Sequence, residues 1–106
     1  MRIRTMWGLA VLLAIPISTT RASANANDGK TVYEQKCKAC HSIGGDSGKM
    51  ANLGGKLDGV GAKHDADWLS DYIANPRSRM SDAKMPRLKL EAGELDDLVD
   101  YMKTLR

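Results

Sequence analysis

Seven glycines fall between His41 and His64 (Gly44, Gly45, Gly48, Gly54, Gly55, Gly59 and Gly61), and this stretch constrains the fold more than any other feature. A structureless run of more than about 20 residues does not belong inside a compact domain unless it wraps an object. The rest of the chain offers little to anchor it. Residues 25–106 contain eight Leu, two Ile and three Val, and the whole sequence has no Phe. Two cysteines three positions apart close too small a loop to staple a domain. Small domains short of apolar side chains rely on an added centre. The sequence therefore asks for a cofactor to fill the middle.

A chain of 106 residues has room for one small domain and no second core. Its first 24 residues read as a targeting segment. Arg2 and Arg4 form a basic start, Met6 to Ile17 is almost unbroken apolar sequence, and Ala22-Ser23-Ala24 fits the A-x-A cleavage pattern. Ala24-Asn25-Ala26 offers a second cleavage point, after Ala26. An apolar run of 12 residues is well short of the roughly 20 that a membrane-spanning helix needs. An uncleaved anchor is the competing reading. The expectation is a signal peptide over 1–24, a folded domain over 25–106, and export to the periplasm.

The formal charge of +3 is carried by the leader. Arg2, Arg4 and Arg21 precede residue 25 and no acid does, whereas residues 25–106 hold 13 basic and 13 acidic side chains. A neutral domain excludes the nucleic-acid reading that the overall charge suggests. It also argues against disorder.

Three segments carry helical spacing, and none alternates like a strand. The first runs from about Asp28 to Cys40, with Val32, Tyr33, Cys37 and Cys40 along one side. The second runs from about Asp65, a good N-cap, to Asn75 before Pro76, with Trp68, Leu69, Tyr72 and Ile73 as its stripe. The third runs from about Glu91 to Thr104, with Leu95, Leu98, Val99, Met102 and Leu105 at helical intervals. Its acids come early and Lys103 and Arg106 late, as the helix dipole favours. The fold class expected is all-α, with long loops wrapped around a central object.

Cys37-Lys38-Ala39-Cys40-His41 is the C-x-x-C-H sequence of c-type haem attachment. Cysteines three apart on a helical turn point the same way, so both sulfurs can bond one porphyrin edge. His41 then lies close enough to reach the iron. Three other readings use the same residues. A redox disulfide belongs beside a βαβ pattern, which the sequence lacks. A zinc site from Cys37, Cys40, His41 and His64 crowds three ligands into five residues, unlike the usual separated pairs. The third is a plain buried cysteine pair. Lys84-Met85-Pro86 favours haem, because His/Met axial ligation is that of electron-carrying c-type cytochromes and raises the potential. Pro86 biases Met85 towards extended backbone. Met80 shares the loop and competes for the role; Met50 does so less well, and Met102 reads as core.

From about Asp28 to its end the chain resembles class I bacterial monohaem cytochromes c, of the small cytochrome c551/c552-like kind. The resemblance rests on Gly29-x-x-x-Tyr33-x-x-x-Cys37, on Leu57-Asp58-Gly59-Val60-Gly61 followed by Asp67-Trp68-Leu69, on Asn75-Pro76 and on Lys84-Met85-Pro86. It implies the cytochrome c fold, three main helices around one covalently attached haem c. It also implies that Gly29 lets the last helix cross closely, at Leu98 and Tyr101. Many relatives carry proline where Gly55 stands, two residues before Leu57; their carbonyl there accepts a hydrogen bond from the axial histidine. The same bond is expected here, with less stiffness. The resemblance also implies that the Trp68 indole reaches a haem propionate.

Trp68 and Tyr72 are otherwise expected to wall the pocket, and His64, between Lys63 and Asp65, to be an exposed turn residue. Residues 25–63 carry a charge of +2 and residues 64–106 a charge of −2, a dipole that can orient partners. With His41 and Met85 in both axial positions no site is open for substrate. The expected function is a soluble periplasmic electron carrier, not an enzyme, meeting a redox donor and acceptor transiently and working as a monomer. It is not held in the membrane once the leader is cleaved. The alternative is a haem c enzyme subunit or a gas or redox sensor with a labile sixth ligand.

Overall fold

The computed structural model describes residues 8, 10–16 and 25–106. Most of the expected leader, including its basic start and the cleavage sequence up to Ala24, lies outside the described residues. Within it, Val11, Leu12, Leu13 and Ile15 are exposed. Among the described residues no helix is long and apolar enough to cross a membrane.

Three helices carry the fold: α1 (Ala26–Lys36), α4 (Ala66–Ala74) and α5 (Ala92–Thr104). Each start has a local cause. The Asn25 side chain accepts from the Asn27 amide at the head of α1. Asp65 accepts from the Trp68 amide at 2.8 Å, as its N-cap position predicts. Glu91 and Glu94 form a reciprocal capping box on α5. Helix α1 ends four residues earlier than its spacing suggests. The Cys37 and Lys38 amides both donate to the Tyr33 carbonyl, which closes the helix before the second cysteine.

Helices α1 and α5 cross where Gly29 lies against Asp97 and Tyr101. A Cβ on Gly29 would overlap the Asp97 carbonyl oxygen and come within 2.8 Å of the Tyr101 Cβ, so only a bare α-carbon permits the approach. Around the crossing are buried Val32, Tyr33, Leu98, Val99 and Met102, joined by Leu69 and Ile73 of α4 and by Cys37. Leu98 is completely inaccessible. Tyr33 and Tyr101 pack with ring centroids 5.8 Å apart.

The glycine-rich stretch holds structure that the sequence pattern does not reveal. It contains two single-turn helices, α2 (Ala51–Gly54) and α3 (Val60–Lys63), and a small sheet of β1 (His41–Ile43), β2 (Asp46–Ser47) and β3 (Gly55–Lys56). The sheet order is β2-β1-β3, with β1 antiparallel to β2 and parallel to β3. Strands two or three residues long are too short to show alternation, which is why the expected loop is in fact an ordered Ω-like wrap. The β1–β3 register sets His41 opposite Gly55. At the other end of the wrap, Lys103 of α5 donates to the carbonyls of Gly61 (2.8 Å) and His64 (3.1 Å). The wrap is thus closed on itself by the sheet and tied to α5 at its far end.

Candidate functional site

An open cleft of about 690 Å³, its mouth and adjoining solvent space included, lies between α4 and the wrap. Cys37, His41, Met80, Met85 and Met102 contribute to its lining, with Leu57, Val60, Leu69 and Ile73 as apolar wall. An adjoining lobe shares His41, Gly54, Tyr72, Met80 and Met85 and adds Cys40 and Lys84. Of the residues singled out by the sequence, Cys37 borders the first lobe, Cys40 the second, and His41 and Met85 both.

His41 is held from two sides. Its Nδ1 stands 3.3 Å from the Gly55 carbonyl oxygen; with its proton on Nδ1 the ring donates there, and Nε2 is left with a free lone pair. Gly54 packs flat against the same ring, and a Cβ on it would come within 2.6 Å of His41 Cε1. Burial holds the imidazole below its ordinary range, partly opposed by the backbone bonds to Gly55 and Gly54, so the neutral form able to act as a ligand is favoured. The expected bond to the Gly55 carbonyl is thus present in geometry. Its carrier differs from a proline, because Gly55 has φ +75° and ψ −169°. Proline, fixed near −65°, cannot present the carbonyl in this way.

Cys37 is buried and Cys40 half-buried, and both are free thiols. Burial, with Cys40 beside it, pushes the Cys37 thiol up to about 11, so it is protonated at neutral pH and a weak nucleophile within the closed fold. Among the described residues no group of three or more His, Cys, Asp or Glu is placed to hold a metal ion.

Part of the cleft wall is built from rings. His64 and Trp68 stack with centroids 3.5 Å apart and planes within 7°. Trp68 and Tyr72 stack at 4.9 Å and 8°. Trp68 and Tyr72 thus border the cleft. His64 does not behave as an exposed turn residue: it is half-buried, lines the cleft and continues the stack. The signal for it was the i, i+4, i+8 spacing of His64, Trp68 and Tyr72, masked because His64 precedes the N-cap Asp65. Met80 and Met85 both border the cleft, whereas Met50 is half-exposed and lies outside its lining. Met102 is buried, as expected, with one side on the cleft.

The donor set and the shape fit a haem. An apolar slot is bordered by a histidine whose Nδ1 meets the Gly55 carbonyl and by thioether sulfurs. Two thiols three residues apart border the two lobes. Comparison with known proteins agrees. Residues 26–106 match the family described as Cytochrome c. A cytochrome c from Tetrahymena pyriformis is 26% identical over 102 residues, which cover 81% of this chain and 94% of that protein. No solved structure is matched.

Proposed function

The chain belongs to the cytochrome c family, and from that premise we propose that it is an exported, soluble carrier whose haem iron is held by His41 and Met85. Family membership carries the coarser statements: the fold is that of cytochrome c, it holds one covalently attached haem c, and it transfers electrons to transient redox partners without being an enzyme. The finer statements are the proposal. Cys37 and Cys40 supply the two thioethers. His41 binds iron through Nε2, its ring oriented by the Gly55 carbonyl and by Gly54. Met85 supplies the second axial ligand, and Trp68 and Tyr72 wall the pocket. The observation that carries this reading is the convergence of Cys37, Cys40, His41 and Met85 on one cleft.

Haem c supplies a one-electron couple when bound, and a thioether ligand opposite histidine raises its potential. The residues of the chain do the rest. The parallel pairing of His41 with Gly55 would hold the imidazole in one orientation, and ligands held rigidly in both oxidation states would keep reorganisation small. Leu57, Val60, Leu69 and Ile73 would hold the haem and keep water from it. The exposed side of the cleft is where a partner approaches, over the small interface typical of redox encounters. Residues 1–24 direct export and are then removed, residues 25–106 form the working domain, and the mature carrier is a periplasmic monomer of the cytochrome c551/c552-like kind that does not insert in a membrane.

The oxidised and reduced absorption spectra of the protein matured in the periplasm test the ligand set. The oxidised form should show the weak sulfur-to-iron band. Met85→Ala should abolish it and Met80→Ala should leave it. Carbon monoxide should bind the reduced wild-type protein poorly and the Met85→Ala protein readily. Loss of the band in Met80→Ala with its retention in Met85→Ala would overturn the assignment of Met85.

A further inference from the structure

The head of α1 bears on where the leader is cut. The Asn25 backbone nitrogen donates to Asp97 Oδ1 of α5 at 2.8 Å. The Asn25 side chain accepts from the Asn27 amide at 2.9 Å, capping α1, and the Asn25 carbonyl takes the Gly29 amide at 2.9 Å. Asp97 therefore meets α1 twice, one helical turn apart: its backbone lies against Gly29 and its carboxylate on Asn25. The first contact is set by a backbone approach that cannot slide, so it fixes the position of the second.

The two cleavage points offered by the sequence are not equivalent on this geometry. Cutting after Ala26 deletes Asn25, which removes the cap of α1 and the donor to Asp97. Losing such a cap shifts the folding equilibrium about fivefold where measured. Cutting after Ala24 keeps every one of these contacts. It also changes one of them. Hydrolysis of the Ala24–Asn25 amide by a leader peptidase consumes one water and leaves a carboxylate on the leader and an ammonium on Asn25. An amide with one N–H becomes a cation with three, facing a carboxylate already at hydrogen-bond distance. A positive charge at a helix N-terminus is otherwise disfavoured by the dipole; Asp97 supplies the compensation.

We propose that the chain is processed to leave Asn25 as its first residue, and that the new α-ammonium pairs with Asp97, so that removal of the leader adds an ion pair locking α1 to α5. This rests on the export reading given above and goes beyond it.

The test uses the haem-bearing protein recovered from the periplasm, its first residue identified by terminal sequencing and intact mass. The expected product begins at Asn25. A product beginning at Asn27, or at any other residue of this region, overturns the inference and leaves export standing. A product that keeps residues 1–24 overturns both. The second arm compares Asp97→Asn in two backgrounds, the mature chain starting at Asn25 and the same chain with one extra serine before it. The serine keeps an N–H on Asn25 but moves the charge away. Asp97→Asn should raise the unfolding equilibrium constant about threefold to fivefold more in the first background, as for an exposed ion pair. An equal loss in both would show that no ion pair forms and overturn the proposal.

Discussion

Gly29→Ala sets two effects of opposite sign against each other at the α1–α5 crossing. In an exposed helix interior, alanine is favoured over glycine by about 1 kcal/mol, so propensity alone predicts a more stable protein. Packing predicts the reverse. The added Cβ would overlap the Asp97 carbonyl oxygen, and lie 2.5 Å from its carbon and 2.8 Å from the Tyr101 Cβ. Carbon atoms sit comfortably at about 3.5–4.0 Å, so the helices must part by about 1 Å where they meet. The obstacle is backbone and cannot rotate away, which places the cost near the top of the overpacking range of about 1–3 kcal/mol. The net expectation is a loss of about 2 kcal/mol, or a fall in Tm of about 8–16 °C for a domain of this size. Thermal unfolding of the haem-bearing protein, followed by far-ultraviolet circular dichroism, measures it. Gly93→Ala is the control, because nothing lies within 4 Å of a Cβ there and only the propensity gain should appear. If Gly29→Ala were as stable as the wild type or more so, the close crossing would be wrong.

Two further perturbations probe the cleft and the core. Gly55→Pro should loosen the bond to His41 instead of stiffening it, because the φ of +75° at Gly55 is closed to proline; exchange of the His41 ring N–H should quicken and Tm should fall, and unchanged protection would contradict the geometry. Tyr33 is buried, its hydroxyl has no partner among the described residues, and burial, chiefly, pushes it up to about 12. A tyrosine pKa raised on folding adds stability that is fully present below the unfolded value near 10 and is lost as pH climbs towards 12. Wild-type stability should therefore drop between neutrality and about pH 11, by about 1 kcal/mol from Tyr33 alone. Tyr33→Phe should be stable or slightly stabilised at neutral pH and should lose less than the wild type on going alkaline; an identical alkaline loss would place the hydroxyl elsewhere.

The main helices were legible because their causes are local. Asp65 and Pro76 bracket α4, and the spacing of Leu95, Leu98, Val99 and Met102 defines α5. Cys37, Cys40, His41 and Met85 could be proposed from the sequence because the chemistry they would carry fixes their spacing or their neighbours, and the structure places all four at the cleft. The end of α1 was not legible, since the double acceptance at the Tyr33 carbonyl is a feature of backbone geometry with no residue signature. The small sheet was hidden because pairs such as His41 with Gly55 join strands too short to alternate. His64 was misplaced because its environment comes from stacking on Trp68, across a helix start that its neighbours in sequence do not reveal.

The account rests on a covalently held haem standing in for the apolar centre that the side chains of residues 25–106 cannot supply. The intact mass of the purified, acid-denatured polypeptide from an exporting host tests this most directly. The account predicts the mature chain plus one haem, with the added mass lost and the cooperative melt abolished when Cys37 and Cys40 are both changed to alanine. A polypeptide with no added mass, colourless yet folding cooperatively, would contradict it.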